Sequence, residues 1–232
     1  MRYDTVLLDS DQTLLDFAAD ELAALRATLR AFGAPDSAES CALYHEINEN
    51  LWRQFERGEV TKPALLERRF ALFAQETGLR AAPEALNAMY LEQLCTLGGR
   101  ALPGAHALCR ALSKTHRLYI VTNGASRPAR RRLQNAGLTP FFEQIFVSEE
   151  VGVQKPERAF FDRVFAVLGD PPRERIVLLG DSLTSDMAGA RAAGIAGCWL
   201  CPDRARADVP GAYDWRIAQL HEFLPIVRGE RA

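Results

Sequence analysis

The stretch Val6-Leu7-Leu8-Asp9-Ser10-Asp11-Gln12-Thr13-Leu14 decides the fold, because an apolar run of strand length drives straight into two aspartates one residue apart. A short apolar run bounded by polar residues reads as a buried strand, and open α/β sheets place their ligands at the carboxyl ends of such strands. Two carboxylates this close raise one another's pKa unless a cation sits between them, and a hard divalent ion such as Mg²⁺, bound through oxygens, meets that need. An Asp-rich turn closing a strand would explain the pattern by itself, so the remaining segments have to decide.

Three of them end in the same way. His116 to Val121 is an apolar-rich run entering Thr122-Asn123-Gly124, which offers a hydroxyl, an amide and backbone N–H donors suited to phosphoryl oxygens. Ile145 to Ser148 leads to Lys155-Pro156, a single cation on a loop before a helix that starts near Glu157. Arg175 to Leu179 enters Gly180-Asp181-Ser182-Leu183-Thr184-Ser185-Asp186, a second acidic strand end. Each segment is weak alone; four in this order, each behind a strand, are not.

Together they resemble the four motifs of the haloacid dehalogenase (HAD) superfamily, over the whole chain. The resemblance implies a Mg²⁺-dependent mechanism through an aspartyl phosphate. It implies that Asp9 is the nucleophile and that Asp11 is the general acid and base, with its main-chain carbonyl on the metal. Asp9 and Asp181 would be carboxylate ligands, and Asp186 would orient a metal-bound water or Lys155. Lys155 would keep Asp9 ionised, and Thr122 and Asn123 would hold phosphoryl oxygens. Dehalogenases of the superfamily have no acid at the position of Asp11, because a halide leaves without a proton, so the resemblance points to a phosphatase or phosphomutase. Gln12 departs from the Asp or Gly often found there, with an expected effect on cap contacts rather than on the chemistry.

Composition excludes other classes. A chain of 232 residues, 48% hydrophobic, buries one substantial core with a smaller domain beside it, and a net charge of −2 offers no field for nucleic acid. Arg130-Arg131-Arg132 reads as a solvated helix face. No apolar run reaches membrane-spanning length and the first residues lack a signal-peptide shape, so a cytoplasmic protein, monomer or homodimer, is expected. The cysteines Cys41, Cys95, Cys109, Cys198 and Cys201 suit a reducing compartment, and Cys198-x-x-Cys201 lies at a strand end without a second pair. The four histidines lack ligand spacing, which leaves zinc without support. Gly180-Asp181-Ser182-Leu183-Thr184 lacks the closing glycine of a nucleophile elbow.

The organisation expected is an α/β fold: a Rossmann-like parallel sheet core with helices on both faces, from residues 1–16 and 98–232, and an inserted all-α cap, residues 17–97. Leu22, Leu25, Leu29 and Phe32 recur near the helical period before Gly33, and further helices are expected over 43–57, 63–77 and 83–97. Beyond Pro103, helices over 127–136, 157–168 and 185–193 end at glycines and alternate with strands, of which 196–200 is the fifth. The insert resembles a C1 cap. From Tyr44 to Thr61, and again at Ser148 to Val153 and Cys198-Trp199-Leu200, the chain resembles bacterial pyrimidine 5′-nucleotidases, which act on UMP, dUMP and dTMP. Asn48 and Trp52 are the candidate base-reading residues, although Tyr44, Ile47, Leu51 and Phe55 also form an ordinary packing stripe. The function expected is therefore a nucleoside 5′-monophosphate phosphatase with a pyrimidine nucleotide as its small-molecule partner. A sugar-phosphate phosphatase, of the N-acylneuraminate-9-phosphate or phosphoglycolate type, is the alternative, ahead of a dehalogenase or a catalytically silent binding protein.

Overall fold

The structure, a computed structural model, describes residues 2–230. In chain order it contains β1 (Thr5–Leu8) and then four helices, α1 (Phe17–Ala31), α2 (Ala38–Glu56), α3 (Lys62–Thr77) and α4 (Pro83–Leu97). After these come α5 (Ala105–Leu112), β2 (Arg117–Thr122), α6 (Ser126–Asn135), β3 (Gln144–Val147), the single turn α7 (Ser148–Val151) and α8 (Arg158–Leu168). The chain closes with β4 (Ile176–Gly180), α9 (Ala188–Ala193), β5 (Ala196–Leu200), β6 (Trp215–Ile217) and α10 (Phe223–Arg228). It divides into two compact units, Met1–Asp16 with Gly99–Ala232, and Phe17–Gly98.

The first unit is one parallel sheet in the order β3-β2-β1-β4-β5-β6. Its strands are apolar on both faces because both faces are covered, as parallel sheets require. Val6, Leu8, Ile120, Val177 and Leu179 enter one core with Leu108, Leu133 and Phe223. Leu7, Tyr119, Val121 and Leu178 enter the other with Phe160, Phe161 and Phe165. Strand order reverses at β1, whose neighbours are β2 and β4, so the loops after these three strands converge where the crossovers part to opposite sides.

The sheet has a sixth strand where five were expected. Trp215–Ile217 is only three residues long and pairs with Cys198–Leu200 at the edge, too short to show a two-residue period. The helix expected over 185–193 begins as a π-helical turn, Leu183–Met187, and becomes α-helical only at Ala188. Of the basic run, Arg130 and Arg131 are exposed but Arg132 is buried, on the face that α6 presents to the core with Pro128, Ala129 and Leu133. All five cysteines are free and buried, and no helix among the described residues is long and apolar enough to cross a membrane.

The helical unit packs α1 on α4 and α2 on α3 around Leu25, Leu29, Tyr44, Phe70, Phe73, Leu86 and Tyr90. Leu22 is off this stripe and exposed. The helix expected from residue 43 starts earlier, at Ala38, because the Ser37 side chain caps it by accepting from the Ser40 N–H at 3.2 Å.

The connector that returns from the helical unit runs across α6 at very close range. Gly99 has φ +116°, and a Cβ there would meet Asn135 Cβ at 2.6 Å and the Arg132 carbonyl oxygen at 2.7 Å. Gly99→Ala is therefore expected to destabilise the protein by roughly 1–3 kcal/mol through forced overpacking, read as a lower melting temperature. An unchanged melting temperature would contradict the close approach.

Candidate active site

Backbone pairing sets the centre of the site. The Asp9 N–H donates to the Leu179 carbonyl at 2.9 Å, continuing the ladder between β1 and β4 one step past the strand and fixing Asp9 at the sheet's edge. Its side chain is almost wholly buried. The Lys155 ammonium donates to Asp9 Oδ1 at 2.7 Å, to Asp186 Oδ1 at 2.6 Å and to the Val121 carbonyl at 2.8 Å, which uses all three of its protons. Asp186 Oδ2 accepts from the Ser182 N–H at 3.1 Å. Gly180 makes room for this: a Cβ there would lie 2.3 Å from the Asp186 carboxyl.

Asn123 holds the lysine loop. Its Nδ2 donates to the Lys155 carbonyl at 2.9 Å, and its Oδ1 accepts from the Lys155 N–H at 3.0 Å. The Thr122 hydroxyl accepts from Ser10 Oγ at 3.0 Å and from the Gly124 N–H at 3.1 Å, tying the loop after β2 to the loop after β1. Asp181 is held by its main-chain carbonyl, which accepts from Trp199 Nε1 at 2.8 Å, while Thr13 Oγ1 reaches its Oδ1 at 3.5 Å. Asp11 is half-buried, and its Oδ1 accepts from Arg132 Nη1 at 2.7 Å. Gln12, next to it, has φ 55°, a left-handed conformation that accounts for the fit of glycine at this turn.

Oxygens of Asp9, Asp181 and Asp186 lie within 4.8 Å of one another. Two buried carboxylates, Asp9 and Asp186, and a half-buried one, Asp181, thus gather around one ammonium. Burial, opposed by Lys155 and reinforced by Asp186 and Asp11, pushes the Asp9 carboxyl up to about 7. Burial and repulsion from Asp9 and Asp186 push Asp181 well above the carboxylate range. Burial works against the Lys155 ammonium, but Asp186 and Asp9 outweigh it and hold its pKa above the ordinary value. A cluster of hard oxygens with surplus negative charge is the donor set that Mg²⁺ takes.

Asn48 and Trp52 lie on α2 in the helical unit. Both ends of the Asn48 amide are engaged: Nδ2 donates to Glu21 Oε1 at 2.7 Å, and Oδ1 accepts from Arg69 Nη1 at 3.4 Å. Trp52 is half-buried, edge-on to Phe55 with the Lys62 ammonium 5.8 Å from its ring centre. Sequence reasoning passed over Ser10, Arg132, Glu21 and Arg69. Only Arg132 carried a signal: it stands three and four residues after Ala129 and Pro128, on the apolar side of its helix.

A sequence model of the haloacid dehalogenase-like hydrolases matches residues 3–194. The chain belongs to that family. It is 38% identical to the HAD-hydrolase YfnB of Bacillus subtilis, over 99% of this chain and 97% of that one. The crystal structure of YfnB bound to magnesium superposes with a TM-score of 0.91 at 38% identity, covering 98% of this chain and 99% of that one. The pyrimidine 5′-nucleotidase YjjG of Escherichia coli is 32% identical over 96% of this chain and 97% of its own. For PynA, the pyrimidine 5′-nucleotidase of Streptococcus pneumoniae, the figures are 34%, 87% and 85%. The protein is thus a HAD-like hydrolase with a parallel α/β core.

The raised Asp9 pKa has a consequence for stability. A carboxyl whose folded pKa exceeds its unfolded one adds stability that is complete below the unfolded value, about 4, and is lost as pH rises through the folded one. Without divalent cations, the melting temperature of the wild type relative to Asp9→Asn is expected to fall between about pH 4 and pH 8. Scanning calorimetry in chelator at several pH values checks this, and a flat or rising difference would contradict the buried charge surplus.

Proposed function

We propose that this hydrolase cleaves phosphomonoesters through a phosphoryl group carried transiently on Asp9, with Mg²⁺ as cofactor and pyrimidine nucleoside 5′-monophosphates as preferred substrates. The observation that carries the reading is the second acid, Asp11, on the same strand-end loop as an Asp9 that is paired with buried Lys155. A departing alkoxide needs a proton, and a departing halide does not. Asp9, Asp181 and the Asp11 carbonyl would hold the metal, and Asp186, engaged by Lys155 and the Ser182 N–H, would support them. The ion would offset the charge on the phosphoryl oxygens. The magnesium-bound YfnB structure supports this cofactor.

In the first half-reaction the Asp9 oxygen that Lys155 does not hold attacks phosphorus, the bond from phosphorus to the ester oxygen breaks, and Asp11 gives its proton to the departing alkoxide. In the second, Asp11 takes a proton from water as that water attacks phosphorus. The bond to Asp9 then breaks, orthophosphate leaves, Asp9 returns as the carboxylate and Asp11 as the acid. Lys155 opposes the rise that burial imposes on Asp9 and so favours its anionic form for the attack, and Asn123 keeps Lys155 in place. The Thr122 hydroxyl and backbone N–H groups of the loop after β2 would receive the phosphoryl oxygens, while the Asn123 side-chain amide is engaged by Lys155 and Ser185.

The groups gathered at the strand ends recognise a phosphoryl group and nothing beyond it, so selectivity falls to the helical insert, residues 17–97, acting as a cap. The similarity to the pyrimidine 5′-nucleotidases YjjG and PynA supports a pyrimidine nucleotide. Trp52 is assigned a stacking role, and Asn48 the role of fixing Glu21 within the insert.

Phosphate release over a panel of nucleotides and sugar phosphates tests the reading. Turnover is expected to require Mg²⁺, to favour UMP or dTMP, and to fall at least about a thousandfold in Asp9→Asn. Activity in chelator, or in the Asn variant, would overturn the mechanism; a preference for sugar phosphates would overturn the substrate. Trp52→Ala is expected to lower kcat/KM for the nucleotide by the equivalent of roughly 1–3 kcal/mol while sparing a small generic ester. Equal loss on both, with a lower melting temperature, would return Trp52 to packing alone.

A further inference from the structure

We infer that Arg132 is a positioning residue for the reaction, holding the Asp11 carboxylate where it exchanges its proton; this rests on the phosphatase reading above. Arg132 is 1% exposed. A buried guanidinium is costly to desolvate, and such groups are retained where a partner compensates them. Here one such partner is Asp11, 121 residues away in sequence, joined at 2.7 Å through Nη1 and Oδ1. The pair is asymmetric: the arginine side chain is 2% exposed and the carboxylate 27%, so the cation is sealed while the acid keeps an open edge.

The geometry fixes the carboxylate from a second side. Gly124 stands beside it, with the place of an absent Cβ 3.4 Å from Asp11 Oδ2 and 3.3 Å from Thr122 Oγ1. A larger residue at 124 would crowd the acid against the loop after β2. One oxygen of Asp11 is thus tied to α6 and the other lies against the Thr122 loop, leaving the carboxylate little freedom to rotate.

Arg132 is itself braced. Its carbonyl oxygen is one of the two atoms, with Asn135 Cβ, that a Cβ on Gly99 would strike, so the connector at Gly99 lies directly on this turn of α6. The same connector is bonded to the Asp11 loop, through Asp16 N–H to the Arg100 carbonyl at 2.8 Å and Leu102 N–H to the Leu14 carbonyl at 2.8 Å. The acid, its guanidinium anchor and the connector therefore form one closed set of contacts. Proton transfer to a leaving oxygen is sensitive to this kind of order, since a displacement of about 1 Å costs on the order of a hundredfold in rate.

The test compares two esters on the same preparations of wild type, Arg132→Met and Arg132→Lys. A nucleoside 5′-monophosphate loses a poor leaving group that needs a proton, and 4-nitrophenyl phosphate loses a good one that does not. The quantity read is kcat/KM, which reports the steps up to departure of the leaving group. Arg132→Met is expected to lose on the order of a hundredfold on the nucleotide and only a few-fold on the nitrophenyl ester. Arg132→Lys, which keeps a cation but not the planar fork, should shift the ratio in the same direction by a smaller factor. It supplies the measurement if the Met variant does not fold. Calorimetric binding of Mg²⁺ should be unchanged in both. Equal losses on the two esters, or a wild-type ratio in folded variants, would overturn the role of Arg132 alone. A wild type inactive on both esters would overturn the phosphatase reading and this one with it.

Discussion

The Lys155 ammonium, shared between Asp9 and Asp186 and capped by the Val121 carbonyl, is the contact on which the remaining site geometry depends. It joins the loop after β1, the end of strand β2, the turn after β4 and the loop before α8 at one nitrogen. Among the described residues it is Lys155 that brings positive charge to these carboxylates, and removing one partner of a buried pair typically costs about 3–5 kcal/mol because the other is left uncompensated. The surrounding structure is organised to avoid that. Asn123 clamps the lysine main chain at both its N–H and its carbonyl, Gly180 leaves room for Asp186, and Trp199 ties down the main chain of Asp181. These devices sit on β4, on β5 and just past the end of β2, in a sheet whose backbone two apolar cores fix from both faces.

Much of this was legible in the sequence, because the chemistry stands immediately after apolar runs and a parallel strand is recognisable by such a run. Asp9, Thr122, Lys155 and Asp181 each follow a strand or its loop, and the structure brings their loops to one sheet edge. What escaped has a common cause. Trp215–Ile217 is a strand by virtue of its pairing with β5, since three residues carry no period of their own. Arg132 looks like its two neighbours until helix phase is applied: α6 buries positions 128, 129, 132 and 133, and an arginine there must find a carboxylate. The engagement of Asn48 with Glu21 and Arg69 depends on three helices meeting, which no local pattern records.

The helical insert is specified by polar contacts as well as by its apolar stripe. Glu21 is buried, accepts from Asn48 and faces His45 at 2.7 Å, and Arg69 continues the chain of contacts by donating to Asn87 at 2.6 Å. Burial raises the Glu21 carboxyl despite the hydrogen bonds from His45 and Asn48 that oppose the shift. A satisfied buried network of this kind favours one arrangement of the four helices over others of similar apolar content, at a cost in desolvation. The core unit, by contrast, spends its buried charge at a single place, at the ends of its central strands.

That single place is best interrogated by titrating Mg²⁺ into metal-free protein by calorimetry near neutral pH, in buffers of different ionisation enthalpy. With Asp9 held up to about 7 and Asp181 also raised, both by burial first and by neighbouring carboxylates second, binding must displace protons. The expected result is saturable binding whose apparent heat varies with the buffer, showing proton release, and whose release disappears as pH is raised. Binding without buffer dependence, or no binding at all, would contradict the claim that surplus buried negative charge defines this site.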